Sequence, residues 1–264
     1  METDDRRETR LTSLERLLLL IPLAGGAFFG LAPYLAPETF ASLTGYSGQD
    51  AYIYRLAGSA TFGYAVALGL GLRDGWWGPL RPIVIAVLVF NVVSILAGAI
   101  EVVRGQAKPV VFVIAAASIL IIGVTAWLLA RHGIQAGAAR DVAGWTLWAV
   151  GLATAVAALF GTLPEFVGFF SNAFGYSGRD AYIFRQSGAA TLGYAAMGLV
   201  ELFAPRWREM RLPTVMALVF NGMAALASAF EATRGPVTPL VVVVLPASVL
   251  FTILFAAILA RKGR

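Results

Sequence analysis

The sequence predicts an all-α polytopic membrane protein with eight transmembrane helices, built as two tandem four-helix units in parallel orientation and related by a pseudo-two-fold axis along the membrane normal. Three observations carry that prediction. Of 264 residues, 59% are hydrophobic and 13% are charged, and mean hydropathy is +0.78. Eight stretches almost free of charge recur along the chain, and the second half repeats the first. A soluble domain carries about 25% charged residues, so a water-exposed globule is excluded. Disorder, collagen and sustained coiled coil fail on the same composition.

A membrane helix needs about 17–25 apolar residues. Such stretches are expected at 16–35, 52–72, 82–101, 109–130, 143–162, 182–203, 212–231 and 238–260. Short connectors rich in Gly, Pro, Trp and Arg separate them, such as Arg73-Asp74-Gly75-Trp76-Trp77-Gly78-Pro79, which combines helix breakers with headgroup-level anchors. The organisation is then an N-terminal cytoplasmic segment 1–15, a first unit 16–133, a linker 134–142 and a second unit 143–264. The charged residues before Leu17-Leu18-Leu19-Leu20 look like the front of a signal peptide. A counterpart of 16–35 at 146–164 argues instead for a retained first helix.

Alternate connectors divide the basic residues unevenly. Fourteen Lys and Arg fall on the side holding both termini and the connectors 73–81, 131–140 and 206–211, whereas Arg104, Lys108, Arg179 and Arg234 fall on the other. Over loops this short, that bias places both termini in the cytoplasm, with a bacterial inner membrane as the expected location. The net charge of +5 then needs no nucleic acid to explain it.

The repeat has a constant spacing. Gly45-Tyr46-Ser47-Gly48-Gln49-Asp50-Ala51-Tyr52-Ile53-Tyr54-Arg55 returns as Gly175-Tyr176-Ser177-Gly178-Arg179-Asp180-Ala181-Tyr182-Ile183-Phe184-Arg185, and 39 of 89 positions from 45 to 133 are identical at an offset of 130 without a gap. Identity reaches 14 of 20 over 45–64 and drops to 4 of 20 over 65–84. The retained features therefore concentrate at the outer end.

Five groups of retained residues are candidates for chemistry. Ser47-x-x-Asp50 and Ser177-x-x-Asp180 fit capping boxes before the second and sixth helices. Arg55 and Arg185 lie one turn inside apolar stretches, where a guanidinium costs about 2.5 kcal/mol or more at full depth and so requires a partner. Glu101 and Glu231 end the third and seventh helices at the same depth, which predicts Arg55–Glu101 and Arg185–Glu231 bridges within each unit. Asn91 and Asn221 are expected to hydrogen-bond deeper in the bundle, and Tyr52 and Tyr182 to share the arginine face. These eight residues, Tyr52, Arg55, Asn91, Glu101, Tyr182, Arg185, Asn221 and Glu231, either pin the units together or hold the polar head of a lipid-like ligand entering from the outer leaflet.

Other chemistries lack their residues. The chain has no cysteine, and its one histidine, His132, is expected as an exposed interfacial residue at the end of a helix. No Ser/His/Asp set, metal-ligand cluster or phosphate-binding glycine loop is present, so no catalytic or metal-ligating residue is assigned. The Gly25-Gly26 pair is expected to serve helix packing.

Pro37-Glu38-x-Phe40, then Arg55-x-x-Gly58-x-x-x-x-Gly63, then a third helix ending in Glu101, resembles the DoxX-like and related four-helix bacterial membrane families, each half separately. That resemblance implies an accessory membrane subunit, in families of which some members are associated with oxidoreductase assemblies or quinone chemistry. The expected function is a non-catalytic scaffold or accessory subunit, with a lipid or quinone as ligand and no intrinsic cofactor. Its expected partners are the bilayer, other subunits of a membrane complex or a second copy. A small-solute or ion transporter with a path between the repeats, and a membrane subunit of a quinone-linked oxidoreductase, stand as alternatives.

Overall fold

The computed structural model describes residues 9–134, 141–203, 206–234 and 237–262. The expected basic positions Arg6, Arg7, Arg140 and Arg264, and most of the 134–142 linker, lie outside the described residues. Each expected apolar stretch is a helix: α1 (Ser13–Leu35), α3 (Ala51–Asp74), α4 (Trp77–Val103), α5 (Pro109–His132), α6 (Gly144–Thr162), α8 (Ala181–Phe203), α9 (Trp207–Ala232) and α10 (Pro239–Lys262). Two short helices were not anticipated, α2 (Pro37–Thr44) and α7 (Val167–Phe174), the latter preceded by a 3-10 turn at Leu163–Glu165. Both end on glycines in the left-handed region, Gly45 at φ +82° and Gly175 at φ +77°, a conformation that only glycine adopts without penalty.

Six of the helices, α1, α4, α5, α6, α9 and α10, are long and apolar enough to cross a membrane. The protein is therefore an all-helical membrane protein, with no β-strand among the described residues. α3 and α8, at 24 and 23 residues, have the length, but Arg, Tyr, Ser, Thr and Gly dilute their hydropathy. They occupy the centre, where lipid contact is not required.

The long helices form two layers. One runs α1, α3, α9, α10 and the other α5, α4, α8, α6, each helix packing along its neighbours in that order. The inner four pack across the layers, α3 on α8 and α4 on α9, whereas the outer pairs α1/α5 and α6/α10 barely touch. Each layer thus sets two helices of the first half beside two of the second, meeting at α3/α9 and at α4/α8, and the halves share one core. Burial follows the same order: 28% of the apolar window is buried in α1, α5, α6 and α10 against 44% in α4 and α9. The remaining outer surface, including Phe28, Leu120, Trp148 and Ile253, is exposed apolar area suited to lipid.

The α3–α8 crossing depends on two tyrosine–glycine contacts. Tyr64 Oη donates to Ala190 O at 2.6 Å and Tyr194 Oη donates to Ala60 O at 2.8 Å. Each phenol reaches the opposite backbone because a glycine leaves room, Gly193 for Tyr64 and Gly63 for Tyr194; a Cβ at either position would overlap the phenolic oxygen. Small residues that admit close backbone approach are the general means of packing helices in lipid.

At the other end of the helices, His132 corrects its expected exposure. Its side chain is 5% exposed, with its ring tilted against Trp77 at 4.9 Å between centroids and Nε2 2.8 Å from Glu15 Oε1. Glu15 is fully buried and completes a capping box with Thr12 at the start of α1. A buried carboxylate at a helix start needs donors, and His132 and Arg131 at the end of α5 supply them.

Gly193→Ala and Gly222→Ala make the same chemical change in two membrane helices. Only the first meets a neighbour, since nothing approaches within 4 Å of a Cβ at Gly222. Thermal unfolding in detergent should show Gly193→Ala destabilised by about 1–3 kcal/mol and Gly222→Ala unchanged or slightly stabilised.

Candidate functional site

The retained residues meet at the end where α3 and α8 begin, but each finds its partner on the other half of the chain. Asp50 does not cap its own helix. Its carboxylate accepts from Ser177 N (2.9 Å), Ser177 Oγ (2.7 Å) and Gly178 N (3.1 Å). Asp180 accepts reciprocally from Ser47 N (2.8 Å), Ser47 Oγ (3.0 Å) and Gly48 N (2.8 Å), and additionally from Tyr54 Oη (2.9 Å). The expected capping boxes are therefore exchanged into two clasps. Positive-φ glycines at 48 and 178 turn successive N–H groups toward the carboxylate, forming the concave donor nest that favours an anion.

The ion pairs are exchanged in the same sense. Arg185 pairs with Glu101, both residues 2% exposed. Arg55 stands 3.9 Å from Glu231, with its guanidinium 4.9 Å from the Phe230 ring centre. The expected pairings within each half are corrected. The cause is the layer order: α4 packs along α8 and α9 along α3, while α3 and α4 meet only glancingly, so equal depth does not make Arg55 and Glu101 neighbours. The two bridges also differ, because the Glu231 side chain is 27% exposed whereas Glu101 is enclosed.

Aromatic rings continue the exchange. Tyr46 stacks on Tyr182 and Tyr52 on Tyr176, both with centroids 6.2 Å apart, and Tyr52 Oη lies 2.6 Å from Ser228 Oγ. Tyr176 Oη and Thr238 Oγ1 are 2.8 Å apart. Burial raises the phenols of Tyr46 and Tyr176 above their ordinary pKa, so both stay neutral.

Asn91 and Asn221 do not bridge helices as expected. Each Nδ2 donates to a carbonyl one turn back in its own helix, Val87 O and Ala217 O, at 2.8 Å. Both side chains instead border cavities between the layers. A first cavity of about 130 Å³ lies among α6, α8, α9 and α10 and is lined by Asn221, Phe160, Phe184, Phe220, Ala247 and Glu201 among others. A second of about 110 Å³ lies among α1, α3, α4 and α5, lined by Asn91, Gly25, Phe29, Tyr64, Phe90 and Tyr182 among others. Gly25 faces open space, whereas Gly26 packs on Ala65, so the expected packing role holds for the second glycine only. Tyr52, Arg55, Glu101, Arg185 and Glu231 line neither cavity.

Two features escaped the sequence reading. Arg81 pairs with Glu209 beneath the core, and Glu201 enters the first cavity from α8. Both carboxylates stand near helix ends, where sequence alone reads them as rim charges.

A charge exchange separates the two pairing schemes. Removing one partner of a buried pair costs about 3–5 kcal/mol, so Arg185→Glu and Glu101→Arg should each destabilise strongly while their combination recovers a large part of the loss. Combining Arg55→Glu with Glu101→Arg should recover nothing, as read by melting temperature in a double-mutant cycle.

The chain matches no family model, no curated protein and no solved structure.

Proposed function

We propose that the chain is a non-catalytic integral membrane protein of eight spans, with its two four-helix copies parallel about a pseudo-two-fold axis. It holds a lipid- or quinone-like molecule within the bilayer as a scaffold or accessory subunit of a membrane complex. The observation that carries this reading is the pair of apolar cavities at corresponding places in the two copies, each beside a weakly packed outer seam, α6/α10 or α1/α5. An apolar molecule diffusing in the bilayer reaches such a cavity sideways, without crossing headgroups. Predominantly apolar walls with a small number of placed polar groups are the usual composition of a small-molecule site.

This reading moves the ligand from the arginines to the cavities. Arg185 is engaged by Glu101 and enclosed, so the outer-end cluster acts as the clamp that holds the copies together. A solute path between the copies is disfavoured because Tyr64 and Tyr194 fill the centre. The resemblance to DoxX-like families belongs to the same proposal and agrees with an accessory role.

For orientation, the end bearing Glu15 and His132 is cytoplasmic in a bacterial inner membrane. Cations over tryptophans support it: Arg10 and Arg208 over Trp76, Arg131 over Trp127 and Arg261 over Trp145, a basic and aromatic rim of the kind found at the inner interface.

Mass spectrometry of protein released from nanodiscs tests the ligand. The wild type should retain a lipid-like molecule through detergent exchange, and Gly25→Phe with Ala247→Phe, which fill the two cavities, should lose it several-fold at unchanged folding. Retention unaffected by both substitutions would place any bound lipid on the outer surface and overturn the reading.

A further inference from the structure

The two cavities are unlike at one end. In the first, the lining on α8 extends from Phe184 to Glu201, seventeen residues, or about 25 Å at the rise of an α-helix. The second covers a shorter part of its helices, Tyr54 to Tyr64 on α3. The position matching Glu201 in the first half is Gly71, and there the Leu80 side chain lies against the glycine where a side chain would otherwise stand. The first cavity is thus a long apolar slot ending in a carboxyl, and the second is not.

Glu201 is 6% exposed, and its Oε1 has no hydrogen-bond partner among the described residues. The nearby hydroxyls cannot serve it. Thr154 Oγ1 donates to Val150 O and Thr214 Oγ1 to Met210 O, both at 2.7 Å, which uses their single protons within their own helices. A buried polar group without a partner is costly, and buried acids inside membranes pair with something. The other polar groups of the lining do not serve it either: Thr191, Asn221 and Ser248 donate to carbonyls of their own helices, and Ser187 stands near the far end of the slot, so the missing donor is expected on whatever fills it.

We propose that the first cavity takes a single-chain lipophilic amine, its ammonium held by Glu201 and its chain lying along α8 toward Phe184 and Phe160. The inference rests on the ligand-holding reading above and names the ligand class for one of the two cavities. A single chain fits a slot of this length bounded by four helices, and a protonated amine supplies both the donor and the counter-charge that the carboxyl lacks. The second cavity, without a carboxyl at its end, shows no such preference.

The test compares n-dodecylamine with dodecyl methyl ether, which matches it in chain and carries no donor. Binding is read by displacement of a spin-labelled acyl chain from the protein in phosphatidylcholine nanodiscs, with empty nanodiscs subtracted. The wild type should prefer the amine by about ten- to a hundredfold, the size of one charge-assisted hydrogen bond. Glu201→Gln should abolish the preference and leave ether binding and melting temperature unchanged. Ala247→Phe should remove the amine-selective component altogether. Equal binding of the two probes to the wild type, or a preference surviving in Glu201→Gln, overturns the inference while the ligand-holding reading stands. Failure of both probes to displace the label overturns that reading as well.

Discussion

A guanidinium or carboxylate taken out of water and left alone costs several kcal/mol, so the sites where such groups are satisfied dictate which helices must lie together. In this protein those partners lie across the chain: Asp50 on the Ser177 turn, Asp180 on the Ser47 turn, Arg185 on Glu101 and Arg55 near Glu231. Neither half satisfies these groups by itself. The joining of the two halves within each layer, at α3/α9 and α4/α8, follows from this exchange, and so does the central α3–α8 crossing with its tyrosine–glycine contacts. The pattern, in which residue i of one copy meets j of the other and j meets i, is what an isologous two-fold interface produces.

The cavities are a consequence of the same arrangement. The contacts that join the halves gather at the inner four helices, whereas the outer pairs α1/α5 and α6/α10 touch over little of their length, α1 and α5 being tied at one end by Glu15 with His132 and Arg131. Space remains behind each seam, walled largely by apolar side chains and bordered by one asparagine apiece. The charged cluster and the cavities are therefore separate: the exchanged contacts lie where α3 and α8 begin, and the far ends of these helices differ between the halves. Glu201 against Gly71 is one such divergence, in the region where identity between the copies is lowest.

Much of the fold was legible in the sequence, because hydropathy over twenty residues reports a membrane helix directly. Most helix bounds fall within three residues of expectation. α4 and α9 begin five residues early, at Trp77 and Trp207, since Pro and Arg near those starts read as connector while a first helical turn tolerates both. The short helices α2 and α7 escaped because eight residues carry too little periodicity to stand out. The residues of the clamp were legible through retention between copies, and their partners were not. Helical spacing gives the face and depth of Arg55 and Glu101, but which helix stands opposite is a property of three-dimensional order. Asp50 shows the same limit, since a capping box and an exchanged clasp have identical local sequence.

The central claim is that neither half is satisfied alone. Expressing residues 1–134 and 141–264 as separate chains, singly and together, and measuring the mass of the folded product in detergent tests it directly. The account predicts a one-to-one complex on co-expression, and either aggregation or self-association into a dimer when one half is made alone, because only a second copy supplies the clasp and the ion pairs. A stably folded monomer of either half would contradict it.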